Sequence, residues 1–294
     1  MKFRATLIGF LTILMWAFLA TLTAASGNMP PFQLTAVAFA LGSVPGLVAM
    51  AARPARLKAL RQPLRVWLVG IGGLFGYHFL YFTALRNAPA VEATLVNYLW
   101  PLLIVVGSAL LPGERLGWHH LLGAAIGLGG TVLLVAGGNV AFNPAYMAGY
   151  GAALLAAATW ASYSLLSRRF GSVPTDAVTG FCFATAILSG VCHLALETTV
   201  WPETAFQWSM VVALGLLPLG LAFYTWDYGV KNGDIQVLGA ASYTTPILST
   251  LILLAAGYGQ PGWRLALACL LVTGGAVLAS KDMIFRRRKT VAAA

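Results

Sequence analysis

The chain has 294 residues, of which 59% are hydrophobic and only 9% are charged. Soluble domains carry about 25% charged residues, so this composition excludes a soluble protein and predicts an all-α, multi-pass membrane protein whose main partner is the lipid bilayer. The net charge of +10 does not predict a nucleic-acid partner, because no basic face outside the membrane is large enough to bind nucleic acid.

Ten apolar runs long enough to cross the hydrocarbon core follow one another along the chain. They lie near residues 6–25, 32–52, 66–85, 91–111, 120–138, 146–167, 176–196, 208–230, 236–256 and 262–280. The first run follows a basic N-terminus that resembles a signal peptide, but it is longer than a normal signal-peptide core, so we interpret it as a retained helix. No soluble domain fits between the runs, which predicts a single membrane domain over residues 1–294.

The positive residues fall on one side of this arrangement. With the N-terminus in the cytoplasm, 16 of the 18 Lys and Arg residues lie in cytoplasmic segments, and only Arg86 and Arg264 fall outside. Cytoplasmic loops of membrane proteins are enriched in Lys and Arg, so the pattern predicts ten spans with both termini in the cytoplasm. Residues 286–294 would then form a basic cytoplasmic tail.

The sequence resembles itself at an offset of 145 residues, and at 144 further upstream. The matched positions include Gly70 with Gly215, Arg86 with Lys231, Tyr98 with Tyr243, Pro101 with Pro246, Trp118 with Trp263 and Trp16 with Trp160. Repeat one, 1–140, and repeat two, 145–285, would each contain five spans. Because five is odd, the second repeat would enter the membrane from the opposite side, an inverted-repeat architecture that is common among secondary transporters.

Several motifs together resemble one transporter family. They are Trp16 in the first span, the Gly113-Glu114-Arg115-Leu116 turn, the glycine-rich fifth and tenth spans, and the five-plus-five duplication. This combination resembles the EamA-type branch of the drug/metabolite transporter superfamily, and the aromatic-rich middle resembles its YddG group. The resemblance implies a ten-helix exporter of aromatic and other neutral amino acids in the cell inner membrane. One departure is Tyr258-Gly259-Gln260-Pro261, which stands where the turn would recur.

Residues 77–101 concentrate aromatic side chains with polar tips in the third and fourth spans. Inside a bilayer each polar tip needs a partner, so such side chains tend to face protein or a cavity. An interfacial aromatic belt explains tryptophans at span ends, but not Trp100 or Trp160, which lie well inside. We therefore predict a central substrate-binding cavity. Its predicted binding residues are Tyr77, His78, Tyr81, Asn97, Tyr98, Trp100, Trp160, Tyr163, Ser242 and Tyr243.

Pro101 and Pro246 lie near the middle of the fourth and ninth spans. A proline inside a helix lacks an N–H and crowds the carbonyl four residues back, which would free the carbonyls of Asn97 and Ser242. Membrane helices tolerate freed acceptors beside a cavity. The two prolines are therefore candidate hinges, and a simple packing kink explains them equally well.

Ionisable groups inside the spans are few. His78 is suited either to relay a proton or to donate a structural hydrogen bond. Asp227 and Lys231 are spaced to form an ion pair, and Glu92 suits the first turn of a helix. No chain of buried carboxylates is visible, so proton coupling has weak support and facilitated export is at least as compatible with the sequence. No catalytic constellation, metal-ligand spacing or cofactor motif appears.

These features predict a secondary transporter, not an enzyme. It would export small amphipathic metabolites, above all aromatic and other neutral amino acids, by alternating access through a cavity between the repeats. Two alternatives stay open: an exporter of drugs or hydrophobic cations from the same superfamily, and a membrane-embedded enzyme. A sensor or scaffold is disfavoured because the chain has no soluble domain to transmit a signal.

Overall fold

The computed structural model of the chain describes residues 2–136, 143–255 and 262–281, and all regular secondary structure in these ranges is helical. The first half contains α1 Lys2–Ala17, α2 Leu19–Ala25, α3 Pro31–Ala52, α4 Leu64–Ile71, α5 Tyr77–Asn87, α6 Ala90–Asn97, α7 Trp100–Gly107 and α8 Trp118–Ala136. The second half contains α9 Met147–Arg169, α10 Val178–Leu196, α11 Ala205–Leu216, α12 Ala222–Asn232, α13 Ile235–Ala241, α14 Thr244–Ala255 and α15 Trp263–Ala279.

Within the described ranges, seven helical stretches are long and apolar enough to cross a membrane. They are Lys2–Ala25, Pro31–Ala52, Leu64–Asn87, Ala90–Leu110, Trp118–Val135, Thr175–Leu196 and Ala205–Asn232. The bent pair α13 and α14 would make an eighth. α15 is a shorter apolar helix, and α9 is as long as the others but less apolar because it carries several hydroxyl and aromatic side chains.

Each predicted apolar run coincides with helix over its described residues, with ends that differ by a few positions. The last residues of the fifth and ninth runs lie outside the described ranges. So do the departure at Tyr258-Gly259-Gln260-Pro261 and the basic tail at 286–294. The orientation of the two termini relative to a membrane stays a prediction.

Two π-helical turns lie at matching places in the two halves. Gly72–Gly76 joins α4 to α5, and Leu217–Leu221 joins α11 to α12, at the same offset of 145 residues. A π turn accommodates one more residue than an α turn, so the side chains that follow it are rotated about the helix axis. These turns therefore decide which faces of α5 and α12 point to the centre of the molecule.

The helix breaks also lie at matching places. α6 and α7 are separated by two residues just before Pro101, and α13 and α14 by two residues just before Pro246. Proline lacks an N–H for the preceding turn, which accounts for an interruption here, and the axes on the two sides of the second break differ by 41°. The carbonyl of Ser242, which we predicted to be free, accepts a hydrogen bond from the Thr245 N–H at 3.1 Å.

Helices of the first half pack on helices of the second half. α1 packs on α12, α3 on α10, α5 on α9 and α8 on α15. The last pair is so close that a Cβ on Gly123 would lie 2.5 Å from the Gly275 carbonyl oxygen, and the reverse contact is equally short. Small residues allow this approach between membrane helices. The two halves thus interleave, and the centre of the molecule lies between them.

Candidate functional site

Four tryptophans, one each from α1, α7, α9 and α12, meet at the centre of the molecule. We call this the tryptophan cluster, and it consists of Trp16, Trp100, Trp160 and Trp226. Its ring centroids lie between 5.2 Å and 6.3 Å apart. The Trp226 indole N–H donates to Ser164 Oγ at 3.0 Å, and the Trp16 indole N–H donates to the Pro218 carbonyl at 3.1 Å. These bonds fix two rings of the cluster in orientation.

A cavity of about 700 Å³ lies on one side of the tryptophan cluster. Trp16, Trp100 and Trp160 form its floor, and helices from both halves form its walls. It extends towards α2 and the start of α3, where Met29 and Pro31 line it. None of the described residues that line it is an Asp, Glu, Lys or Arg. The cavity is thus a mostly apolar space of the size that small-molecule sites have, with a few hydroxyl, amide and imidazole groups in its walls.

Two tyrosines of α5 form one wall of this cavity. Tyr77 and Tyr81 are four residues apart, and their rings stack with centroids 6.0 Å apart and an interplanar angle of 10°. The Asn97 Nδ2 amide donates to the Tyr77 hydroxyl at 3.0 Å, and the hydroxyls of Tyr81 and Thr94 lie 3.0 Å apart. These bonds link α5 to α6 and fix the orientation of two rings that line the cavity.

His78 and Asn97 supply polar atoms to the cavity lining. The Nδ1 atom of His78 lies 2.7 Å from the Leu74 carbonyl oxygen. A carbonyl oxygen only accepts, so Nδ1 carries a proton, and in the neutral ring Nε2 is then an acceptor. The Oδ1 atom of Asn97 is buried and has no hydrogen-bond partner in the described structure. Both residues can therefore offer an acceptor to a bound ammonium or hydroxyl group.

The structure brings seven of the ten predicted binding residues into the cavity lining. They are Tyr77, His78, Tyr81, Asn97, Tyr98, Trp100 and Trp160. The other three lie elsewhere in this conformation. Ser242 is buried and donates to the Leu238 carbonyl, and Tyr243 is buried against α8 at Gly127. Tyr163 lies on the far side of the tryptophan cluster, in contact with Trp160 and lining a second, much smaller cavity.

Several lining residues were not among the predicted binding residues. Trp16 lines the floor, and its match to Trp160 at the repeat offset was the signal that should have added it. Phe82 follows His78 by four residues on the same helical face, so its position was also readable. Thr245, the repeat counterpart of Trp100, lines the cavity from α14. Phe223 lines it from α12, where the adjacent π turn sets the face of the helix, and periodicity alone does not indicate that face.

The end of the molecule at which α1 begins is closed by charged groups, and we call it the closed end. Arg168 donates to the carbonyls of Val230, Lys231 and Gly233 at 2.9, 2.9 and 2.8 Å, and it pairs with Glu114. These contacts join α9 to the α12–α13 turn and to the loop before α8. A second cation, Lys2, reaches Asp234 at 3.1 Å and Glu114 at 3.9 Å, which adds α1 to the network.

The opposite end, towards which the cavity extends, is called the open end. At this end one carboxylate, Glu197, contacts several polar groups at the rim of the cavity. It accepts hydrogen bonds from the backbone N–H groups of Phe32 and Gln33 at 3.0 and 3.1 Å, and from Arg86 at 3.0 Å. His193 lies 3.1 Å from the same carboxylate. These contacts join α3, α5 and α10 beside the cavity.

The arrangement suits the binding of a small molecule. The described residues contain no group of three or more His, Cys, Asp or Glu side chains that could hold a metal ion. The polar groups in the cavity wall are single donors and acceptors spread among aromatic rings. Such a surface can hold an apolar or aromatic body and orient one polar end.

Comparison with known proteins gives concordant results. A family model described as the EamA-like transporter family matches residues 3–136 and again residues 147–281. The chain is 54% identical to the aromatic amino acid exporter YddG of Ancylobacter novellus, over 94% of this chain and 96% of that protein. It is 27% identical to the protein of the same name from Salmonella typhimurium, over 85% of this chain and 87% of that protein. A crystal structure 54% identical in sequence superposes with a TM-score of 0.91, covering 95% of this chain and 98% of that chain.

Proposed function

Because the chain belongs to the EamA-like transporter family, we propose that it is a secondary transporter that exports aromatic and other neutral amino acids across the cell inner membrane. The observation that carries the proposal is the ring-lined cavity of about 700 Å³ between the two halves, closed at one end by the Arg168 network. A 54%-identical relative named as an aromatic amino acid exporter supports the substrate class.

The proposed topology is ten spans in two inverted five-helix repeats, with both termini in the cytoplasm. Three observations support it. The family matches two separate stretches of the chain, the π turns and helix breaks recur at the repeat offset, and positive residues concentrate on one side of the predicted membrane. In this topology the closed end faces the cytoplasm and the open end faces outward.

Transport would proceed by alternating access. The cavity open to the outside would close while the cytoplasmic end opens, with bending at the breaks before Pro101 and Pro246. Substrate would lie on the tryptophan cluster, its ring between Trp100, Trp160 and the stacked Tyr77–Tyr81 wall. Its ammonium group would be held by His78 Nε2, the Asn97 amide and the aromatic faces, where each cation–π contact contributes about 0.5–2 kcal/mol. No Asp or Glu is among the described residues that line this cavity, so we propose facilitated export without obligatory proton coupling.

The test is flux in vesicles that contain the purified protein and no ATP. We expect wild-type protein to release phenylalanine and tryptophan, and Trp100→Ala to raise the half-saturation concentration at least about ten-fold, the equivalent of about 1.4 kcal/mol. Trp118→Ala is the matched control, because Trp118 is 62% exposed at a helix start. Absence of amino-acid flux in the wild type would refute the proposed function, and equal effects of the two variants would refute the proposed site.

The cavity also favours a second candidate function. An uncharged pocket lined with aromatic rings suits a hydrophobic cation as well as an amino acid. Competition in the same vesicles separates the two. Inhibition of phenylalanine flux by leucine and tryptophan but not by tetraphenylphosphonium supports the amino-acid exporter, and the reverse pattern supports the cation exporter. Flux that is unchanged when the pH gradient is collapsed supports facilitated export.

A further inference from the structure

A second cavity, of only about 10 Å³, lies on the closed-end side of the tryptophan cluster. It contains a buried ion pair, in which Lys231 Nζ lies 2.8 Å from Asp227 Oδ2 and both side chains are at most 5% exposed. Thr175 donates to the same carboxylate oxygen at 2.7 Å, and Lys231 also donates to the Val173 carbonyl at 2.9 Å. Tyr163 also lines this cavity, and its hydroxyl is buried. The volume is too small for an amino acid and is close to that of one water molecule.

Half of the residues that line the small cavity correspond to residues that line the large one. Five of its lining residues have repeat counterparts, at the offsets of 144 and 145, that line the large cavity. The pairs are Val69 with Leu214, Tyr163 with Leu19, Ser167 with Thr23, Val173 with Met29, and Asp227 with Phe82. In an inverted repeat, counterpart residues line the path on opposite sides of the membrane. The small cavity therefore lies where the repeat counterpart of the large cavity would lie, but it is collapsed to a small volume.

The two cavities differ in charge. The large cavity has no Asp, Glu, Lys or Arg in its described lining, and Phe82 occupies the position that corresponds to Asp227. The small cavity has one carboxylate and one ammonium group, held against each other. A free amino acid carries the same two charges. Each buried charge needs a partner at all times, and a zwitterion is a ligand that can replace both partners at once.

We propose that the small cavity is the collapsed cytoplasmic half of the transport path, and that when it opens Asp227 binds the ammonium group and Lys231 the carboxylate of the incoming amino acid. When the cavity collapses, the two side chains pair with each other and the substrate moves to the uncharged outer half. The charged half thus selects zwitterions at loading, and the uncharged half favours release. This inference rests on the proposed function.

The test compares the two faces of the membrane in vesicles of known orientation. The variant is the double substitution Asp227→Asn with Lys231→Met, which removes both charges and leaves no unpaired ion. We expect the half-saturation concentration for phenylalanine at the cytoplasmic face to rise about ten-fold. We also expect phenethylamine and 3-phenylpropionate, which lack the carboxylate and the ammonium group, to compete at that face as well as phenylalanine does. The half-saturation concentration at the outer face should stay within about two-fold.

The matched control is Arg56→Met with Asp176→Asn, an ion pair of 3.4 Å with side chains 39% and 36% exposed outside the small cavity. This control should change the half-saturation concentration at neither face by more than about two-fold. The inference is overturned if the double variant leaves the cytoplasmic half-saturation concentration and the discrimination between analogues unchanged. It is also overturned if the half-saturation concentration rises equally at both faces. In either case, phenylalanine flux by the wild type still upholds the proposed function. A wild-type protein that moves no phenylalanine refutes the proposed function itself.

A labelling experiment tests the opening of the cavity without those variants. Ser167→Cys, in a background with the three native cysteines replaced by alanine, places a thiol in the small cavity, and Thr23→Cys places its counterpart in the large one. A membrane-impermeant methanethiosulfonate should modify Ser167→Cys from the cytoplasmic face only, faster when phenylalanine is transported. The same reagent should modify Thr23→Cys from the outer face. No modification of Ser167→Cys from the cytoplasmic face during transport overturns the inference.

Discussion

The two ends of the molecule use the same chemistry, a cation against a carboxylate, with opposite results. At the open end the Arg86–Glu197 contact lies beside the cavity and joins α3, α5 and α10 around it. At the closed end Arg168 reaches across, from α9 to the α12–α13 turn and to Glu114. The position of an ion pair relative to the axis between the halves, rather than its presence, thus decides whether an end is closed.

Removing the cation of the closed end should have the largest effect. Arg168→Met leaves Glu114 and three backbone carbonyls without their shared donor, at a cost of about 3 kcal/mol. We expect a lower unfolding midpoint, measured by tryptophan fluorescence in detergent. We also expect faster labelling of the Ser167→Cys thiol from the side of the closed end. Arg169→Met is the control, because Arg169 is the next residue in the chain and its side chain is exposed. Equal midpoints for the two variants would contradict the assigned role of Arg168.

Weakening the carboxylate of the open end should have a smaller effect. The Phe32 and Gln33 N–H groups donate to different oxygens of Glu197, so Glu197→Gln keeps an acceptor for only one of them. It also loses the charge that pairs with Arg86, and the expected cost is about 2 kcal/mol. Hydrogen exchange at the Phe32 and Gln33 amides should accelerate, with no change at the closed end. Glu203→Gln, an exposed carboxylate nearby in sequence, should leave both amides unchanged. Faster exchange at the closed end as well would show that the two ends are not independent.

The smallest effect is expected from a single hydroxyl in the cavity wall. Tyr77→Phe keeps the stack on Tyr81 but removes the oxygen that accepts from Asn97, which should cost about 1 kcal/mol. The half-saturation concentration for phenylalanine should rise about five-fold, and the maximal flux should change less. Tyr228→Phe serves as the control, since Tyr228 is 41% exposed. An unchanged half-saturation concentration would show that substrate binding does not need the hydrogen bond from the Asn97 amide to Tyr77.

Apolar runs and the spacing of residues along each helix were sufficient to predict the helix positions and one wall of the cavity. Tyr77 and Tyr81 were readable because residues four apart share a helical face, and the Asp227–Lys231 pair followed from the same spacing. The Arg168–Glu114 contact was not readable, because the two residues are 54 positions apart in the chain and no periodicity connects them.

Ser242 and Tyr243 were predicted as binding residues but do not line the cavity in this conformation. Their counterparts Asn97 and Tyr98 line the cavity, and symmetry of sequence suggests the same environment for both pairs. The conformation itself is not symmetric, since one end is open and the other closed. In such a state counterpart residues have different surroundings, so Tyr243 is buried against α8 at Gly127 while Tyr98 lines the cavity. Sequence comparison alone does not indicate which repeat supplies the exposed copy.

Because of the π turn at Gly72–Gly76, the direction in which the Tyr77 and Tyr81 side chains point depends on the number of residues in that turn. Each residue in a helix advances the side-chain direction by about 100°. Deleting one residue from this turn would return it to ordinary helical winding and swing Tyr77 and Tyr81 away from Asn97 as a unit. A length change of one residue, with every side chain retained, would thus turn the aromatic wall away from the cavity.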